Sequence, residues 1–411
     1  MTKQRRNWIQ VHLCFFYWNA IRGRRICMNA FEFFTPTHII FGRDSLNQIA
    51  DEAEKLGDKG LVVTDKGLMA TGLVDPIIDA LKAKQLNFEV WTDIVPNPRD
   101  VDIERGAEYA KAHAIDYLIA IGGGSSMDTA KAIGALMTNG GVCADWTDGN
   151  LEHPIAPLIC VPTTCGTGSE VTHESIINNT TTLEKDCIWG PENSVTTAII
   201  DSTVIDHLPG SILGSTGMDA LTHAVEAYVC KAANPLTDGI ALSAIRLISD
   251  NIVKAVETHD PEALDAMMAA STMAGMAFGN SDVASVHSIS EALGGFYDIP
   301  HGVANAMFLA PVSRYSVKGA VDRYADVARA MGAGDSRDSA EDLAIAGIDK
   351  MAALAEKLHI PKFADIEQVD PKDFPRLAKT AANADETADN PVMMNETDFV
   401  NVMTAVYEGR L

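Results

Sequence analysis

From residue 38 onward short apolar runs alternate with longer amphipathic stretches, and near residue 205 the short runs stop. That change constrains the fold more than any single motif. "HIIFG" reads as a strand, "SLNQIADEAEKLG" as an amphipathic helix closed by Gly57, and "GLVVTD" as a strand buried on both faces. Helix "DPIIDALKAKQL", strand "NFEVWTD", helix "DIERGAEYAKAHA" and strand "DYLIAIG" follow. Alternation with such short connections predicts an α/β fold with a doubly wound parallel sheet. Beyond residue 205, Ala- and Met-rich segments at helical spacing predict helices over 214–231, 236–256, 261–279, 283–296 and 302–332, an all-α region. Met267, Met268, Met273 and Met276 read as core filler. The expected organisation is an extension over 1–27, an α/β domain over 28–205 and a helical domain over 206–411. "DHLPGS" (206–211) would be the hinge, with a cleft between the two lobes.

Bulk properties narrow the partners. With 411 residues, 47% of them hydrophobic and 21% charged, the chain is an ordinary globular protein with room for two domains. A formal charge of −24 argues against nucleic acid or an anionic membrane as the main partner. Seven scattered cysteines without a CxxC pair fit a reducing cytoplasm better than a disulfide framework. No run of eighteen apolar residues appears, so no membrane span is expected. Residues 1–27 carry six Lys or Arg and no acid around an aromatic "CFFYW". The apolar part is broken by Gln10 and His12 and no A-x-A site follows, so these residues read as an upstream extension or misassigned start, a mobile tail.

Three stretches carry the chemistry. "YLIAIGGGSSMDTAKAIGAL" sets glycines between a strand and a helix expected to begin near Ser126, a turn whose amides can approach a pyrophosphate. It is not the usual dinucleotide fingerprint, since Met127 stands where the third glycine would fall, and a turn of this kind also serves structure alone. "VPTTCGTGSEVT" (161–172) supplies a second loop rich in donors for phosphate or ribose. "VVTDKG" ends a strand on Asp65, either an ordinary turn residue or a carboxylate for ribose hydroxyls; a 2′-phosphate would meet like charge there, which favours NAD over NADP.

In the helical half, "GMDALTH" places Asp219 and His223 on one helix face among apolar neighbours, where they must be paired, hydrogen-bonded or bound to something. "VHSISEALGGFYDIPHGVANA" adds His287 and His301. Three imidazoles and one carboxylate suit Fe(II) or Zn(II), whereas Mg or Ca would demand more oxygens.

In combination, "GGGSSMDTAK", "PTTCGTGSEVT", "GMDALTHAVEAY" and "PHGVANA" resemble the iron-containing (group III) alcohol dehydrogenases, over essentially Met28 to Leu411. The resemblance implies a dinucleotide-binding N-terminal domain, a helical metal-binding domain, and one divalent ion, Fe(II) ahead of Zn(II), in the cleft between them. It implies Asp219, His223, His287 and His301 as metal ligands. Gly123, Gly124, Ser125, Asp128, Thr163, Thr164, Thr167 and Ser169 match the NAD(H) loops, and Asp65 the position that discriminates NAD from NADP. Asn97 and Lys185 match cofactor contacts, and Phe278 an aromatic beside nicotinamide and substrate. Many relatives carry a further histidine four residues after the third ligand. Glu291 stands there instead, as a substrate hydrogen-bond acceptor, a proton acceptor or a carboxylate orienting a ligand. Asp282 and His173 either tune substrate choice or lie on the surface, and 178–190 is expected at the cleft mouth.

The implied activity is metal-assisted hydride transfer between NAD(H) and a short-chain alcohol or aldehyde, in the direction of aldehyde reduction. The substrate stays open between neutral and anionic aldehydes, Lys185 and His173 being the cations available for an anion. A glycerol-dehydrogenase-like polyol oxidase, a dehydroquinate-synthase-like lyase and a silent assembly protein are the competing readings. A homodimer or higher homo-oligomer is expected, paired through "FEFFTPTHIIFG".

Overall fold

A computed structural model describes residues 30–410 except 183 and 336, together with the backbone of 15–18 and 25–28. Met1–Phe34 and Thr35–Leu411 are separate compact units. In the first, β1 (Phe15–Trp18) and β2 (Arg25–Met28) pair antiparallel. The rest of the expected tail lies outside the described residues.

The second unit opens with the alternating elements. Strands β3 (His38–Phe41), β4 (Lys59–Val63), β5 (Asn87–Trp91), β6 (Tyr117–Gly122) and β7 (Leu158–Pro162) precede a hairpin of β8 (Glu174–Asn178) and β9 (Lys185–Trp189), and β10 (Thr197–Ile200) follows. Six of them form one sheet in the order β3-β10-β7-β6-β4-β5, every pair parallel. Between them run α1 (Ile49–Ala53), α2 (Lys66–Ala70), α3 (Asp75–Ala83), α4 (Asp100–Ala112) and α5 (Gly124–Asn139). Strand residues alternate between two cores: Leu61, Val63, Leu118 and Ala120 face one, Val62, Ile119 and Ile121 the other. Apolar side chains on both faces are what a parallel sheet covered by helices on both sides requires.

After β10 the chain is helical: α6 (Gly210–Val229), α7 (Pro235–Thr258), α8 (Pro261–Phe278), α9 (Ser285–Tyr297), α10 (His301–Ser316), α11 (Val321–Ala330), α12 (Ala340–Lys357), α13 (Phe374–Asn383) and α14 (Glu396–Tyr407). Asn234 and Asp260 cap α7 and α8 through side-chain oxygens, each with proline at the first helical position. Met267 and Met268 sit in the helical core, as their spacing predicts.

Two boundaries differ from the sequence expectation. The helix after the glycine turn starts at Gly124, with Gly123 as its N-cap, rather than near Ser126. The stretch 302–332 is broken by a 3-10 turn, Val317–Gly319. A Cβ on Gly319 would come within 2.7 Å of the Pro391 carbonyl oxygen, so only glycine fits where the turn passes the C-terminal segment.

Candidate metal centre and cofactor cleft

Asp219, His223 and Glu226 recur at i, i+4 and i+7 along α6 and so share one face of it. His287 lies in the first turn of α9 and His301 is the first residue of α10, so three helices converge. Asp219, His223, His287 and His301 each offer one ligand atom, all within 4.8 Å of one another. The rings of His223 and His287 are 4.6 Å apart and those of His287 and His301 5.3 Å. Asp219, His223 and His287 are buried, each under 5% exposed, whereas polar groups this deep normally find partners.

Partners are incomplete here. The Asn305 Nδ2 lies 2.7 Å from Asp219 Oδ1 and 3.1 Å from each Nε2 of His287 and His301. One amide with two hydrogens thus faces three acceptors. Asn305 Oδ1 and His223 Nδ1 are buried without any partner. Converging lone pairs with too few hydrogens are the signature of a cation site, and a three-nitrogen, one-oxygen set fits a divalent transition metal.

The electrostatics keep His223, His301 and Asp219 in binding form. Burial, partly opposed by Asp219, pushes the His223 imidazole down to about 4. The same two causes take His301 down to about 3. Both rings are neutral at pH 7, with lone pairs to give. Burial also disfavours the charged form of His287, but the Glu226 hydrogen bond and charge outweigh it and raise its pKa. Burial works against the Asp219 carboxylate too, yet the three imidazoles and the Asn305 amide hold it below the ordinary value.

The cluster opens into a cavity of about 500 Å³ between the helical half and the sheet half. From the sheet side Asn97, Gly124, Ser125, Asp128, Thr167, Ser169 and Lys185 line it; from the helical side His223, Phe278, His287, Glu291 and His301 do. Phe278, the last residue of α8, stacks on His223 with centroids 4.4 Å apart. His173 and Asp282 also line the cavity, as do Asn178, Lys185, Cys187 and Trp189 of the β8–β9 hairpin, which occupies the place expected for 178–190.

Asp65, Gly123, Thr163 and Thr164 stand outside that lining. Gly123, Thr163 and Thr164 follow the C-terminal ends of β6 and β7, where an open parallel sheet presents its loops. A Cβ on Gly123 would sit 3.3 Å from Thr164 Oγ1, and one on Gly124 only 2.8 Å from Thr167 Cγ2, so the two loops pack with glycine clearance. Asp65 follows β4 and caps α2, accepting from the Leu68 amide at 2.8 Å. Asn97, in the left-handed region at φ 56, donates through Nδ2 to Asp298 Oδ1 at 2.7 Å, tying the sheet side to the end of α9.

Three residues of the site lie at helical spacings from motif residues yet escaped the sequence reading. Glu226 holds His287, Asn305 lies one turn after His301, and Lys131 lies one turn after Asp128. Fully buried, Lys131 donates to Ser169 Oγ at 2.9 Å, Thr172 Oγ1 at 3.1 Å and the Glu174 carbonyl at 2.8 Å. Ser169 in turn donates to Asp128 Oδ1 at 2.6 Å, so α5 and the second loop are locked together. Burial, opposed by Lys131 and Ser169, leaves the Asp128 carboxyl above its ordinary pKa.

The chain is similar to known proteins over most of its length. Residues 36–202 match the family iron-containing alcohol dehydrogenase, and residues 214–407 match the Fe-containing alcohol dehydrogenase family, C-terminal. The chain is 36% identical over 382 residues to 1,3-propanediol dehydrogenase of Citrobacter freundii, covering 92% of this chain and 99% of that one. It is 34% identical over 377 residues to NAD-dependent methanol dehydrogenase of Bacillus methanolicus, covering 90% and 98%. A crystal structure of 1,3-propanediol oxidoreductase superposes with a TM-score of 0.89 at 35% identity, over 92% of this chain and all of the other. With both halves matched in order and the four-residue cluster in place, the chain belongs to the iron-containing alcohol dehydrogenase family.

Proposed function

We propose that this chain is an NAD(H)-linked alcohol dehydrogenase working as an aldehyde reductase, with Asp219, His223, His287 and His301 holding one divalent ion, iron ahead of zinc. The observation that carries the reading is a single cavity reaching both the converging ligand atoms and the glycine turn at Gly124. Bound there, the ion would supply Lewis acidity toward an alcohol or carbonyl oxygen, and NAD(H) would supply the hydride chemistry.

The chain's own residues do the rest. Backbone amides at the start of α5, with Gly124 and Ser125 on the cavity, bind the pyrophosphate. Thr167, Ser169, Asp128, Asn97 and Lys185 position the remainder of the cofactor, with Gly123, Thr163 and Thr164 shaping the loops behind. Asp65 meets ribose hydroxyls and disfavours a 2′-phosphate. Phe278 covers His223 and keeps water from that side of the reacting carbon. Glu291, one turn from His287 and on the cavity, accepts the alcohol proton in this reading and passes it to solvent.

Segments 28–205 and 206–411 act as cofactor and metal lobes in this reading. The chain assembles as a homodimer or higher homo-oligomer through β3, an edge strand of the sheet. Its setting is the cytoplasm, in keeping with five described cysteines that are free. Among the described residues no helix is long and apolar enough to cross a membrane. The test is an NADH-oxidation screen of short aldehydes with Fe(II)- and Zn(II)-loaded protein, alongside metal analysis. Stoichiometric NADH consumption supports the reading and separates it from a lyase; no turnover with either metal overturns it.

A further inference from the structure

Behind the sheet side of the cleft, one ammonium fixes the direction in which two hydroxyls donate. Lys131 is fully buried in α5, and its hydrogens go to Ser169 Oγ at 2.9 Å, Thr172 Oγ1 at 3.1 Å and the Glu174 carbonyl at 2.8 Å. An ammonium has three donors and no acceptor, so both hydroxyls receive from it and must turn their own hydrogens elsewhere. Ser169 gives its hydrogen to Asp128 Oδ1 at 2.6 Å, and the other oxygen of that carboxylate accepts the Ile176 amide at 3.3 Å. Thr172 is different. It is only 4% exposed and lines the cavity, yet its hydroxyl donates to no acceptor among the described residues. A hydroxyl this deep, with its acceptor side filled and its hydrogen turned away, is a donor held for an acceptor in the cavity.

Thr172 stands at the metal end of that cavity. A Cβ on Gly279 would lie 3.4 Å from Thr172 Cγ2, and Gly279 directly follows Phe278, whose ring stacks on His223. The glycine turn at Gly124 packs instead against Thr167, earlier in the same loop. A dinucleotide with its pyrophosphate at Gly124 and its reactive ring toward the cluster therefore brings its nicotinamide half past Thr172. We propose that Lys131 is a positioning residue: by filling the acceptor side of Thr172 it commits that hydroxyl to donate to an oxygen of the nicotinamide half of NAD(H). By the same means it commits Ser169 to Asp128. Without the ammonium, the Thr172 hydroxyl is free to rotate toward the acceptors that Lys131 now occupies, and the cavity loses its donor. The inference deepens the reading given above and rests on it.

The test is calorimetric titration of NAD+, and of ADP, which lacks the nicotinamide half, into the metal-loaded protein and its variants. Thr172→Val keeps the shape and removes the donor; it is expected to weaken NAD+ binding about tenfold while leaving ADP within about twofold of wild type. Thr172→Ser keeps the hydroxyl and loses the methyl, so it should hold NAD+ near wild-type affinity, the reverse of what a packing role predicts. Lys131→Met keeps the buried stem without its donors. It is expected to weaken NAD+ at least as much as Thr172→Val, and combining the two should weaken it no further. Equal losses for NAD+ and ADP, a serine variant no better than the valine one, or additive losses in the double variant overturn the proposal. Where Lys131→Met fails to fold, the valine and serine variants decide alone. NAD+ bound equally by wild type and Thr172→Val sinks this inference alone, whereas a wild-type protein that binds no NAD+ sinks the reading beneath it as well.

Discussion

The imidazole Nδ1 of His287 donates to the Glu226 carboxylate at 2.6 Å, and the same carboxylate accepts the backbone amides of Ala284 at 2.9 Å and Val286 at 2.8 Å. One side chain from α6 therefore caps the start of α9 and fixes the ring that α9 presents to the cluster. Such a partner sets the tautomer, leaving Nε2 unprotonated to face the site, and raises the basicity of the ligand.

Replacing Glu226 by glutamine keeps the shape but turns an N–H toward donors. Metal affinity is expected to fall about 10- to 100-fold. Competition with a chelator, followed by metal analysis, measures this; wild-type affinity in Glu226→Gln would show that the contact is structural only.

Removing a ligand is more drastic. His287→Ala leaves three ligand atoms and a buried Glu226 without its imidazole. The variant is expected to lose its bound metal on gel filtration, and with it the rise in thermal midpoint that a ligand bound only to the folded state confers. Metal content equal to the wild type in this variant would remove the four-residue cluster from consideration.

A third expectation concerns the seam between the loop and the helical half. Gly168 has φ +62, and a Cβ there would lie 2.6 Å from the Gly275 Cα of α8. Gly168→Ala combines a left-handed backbone with overlap against backbone that has no side-chain end to move aside. A destabilisation of about 2–4 kcal/mol is expected from the two together. Because Thr167 and Ser169 flank the position, the KM for NAD+ should rise with it. Urea unfolding at wild-type stability would contradict the close contact.

The sequence made parts of this site legible and hid others for identifiable reasons. Asp219 and His223 stand out because a charge and an imidazole among apolar residues violate the helix's own pattern. Glu226 follows at the next position on that face, seven residues after Asp219, but "HAVEAY" contains an acid that looks like any solvent-facing glutamate. Only the approach of α9 makes it a buried partner. Lys131 and Asn305 were hidden likewise: each lies one turn from a motif residue, and their burial depends on packing between segments distant in sequence. The sheet was plain from its two-faced apolar strands. The turn at Val317–Gly319 was not, because the contact that demands glycine at 319 comes from Pro391, some seventy residues later.

Burial of Asp282 gives stability a pH dependence of definite sign. The Asp282 carboxyl is raised in the folded protein to about 8, from an ordinary value of 3.8. Below about pH 4 it is protonated whether the chain is folded or not, and it costs nothing. As pH rises, the unfolded chain releases a proton that the folded chain retains, so this group makes stability fall with pH until the folded carboxyl also ionises near 8. Asp282→Asn removes that dependence while keeping an oxygen to accept from the Val283 amide, which Asp282 Oδ1 does at 2.8 Å. The urea midpoint of the variant should therefore exceed that of the wild type at pH 8, with the gap narrowing as pH is lowered toward 4. A gap of constant size across that range, or one that widens in acid, would mean that burial and the neighbouring carboxylates do not hold the proton on Asp282.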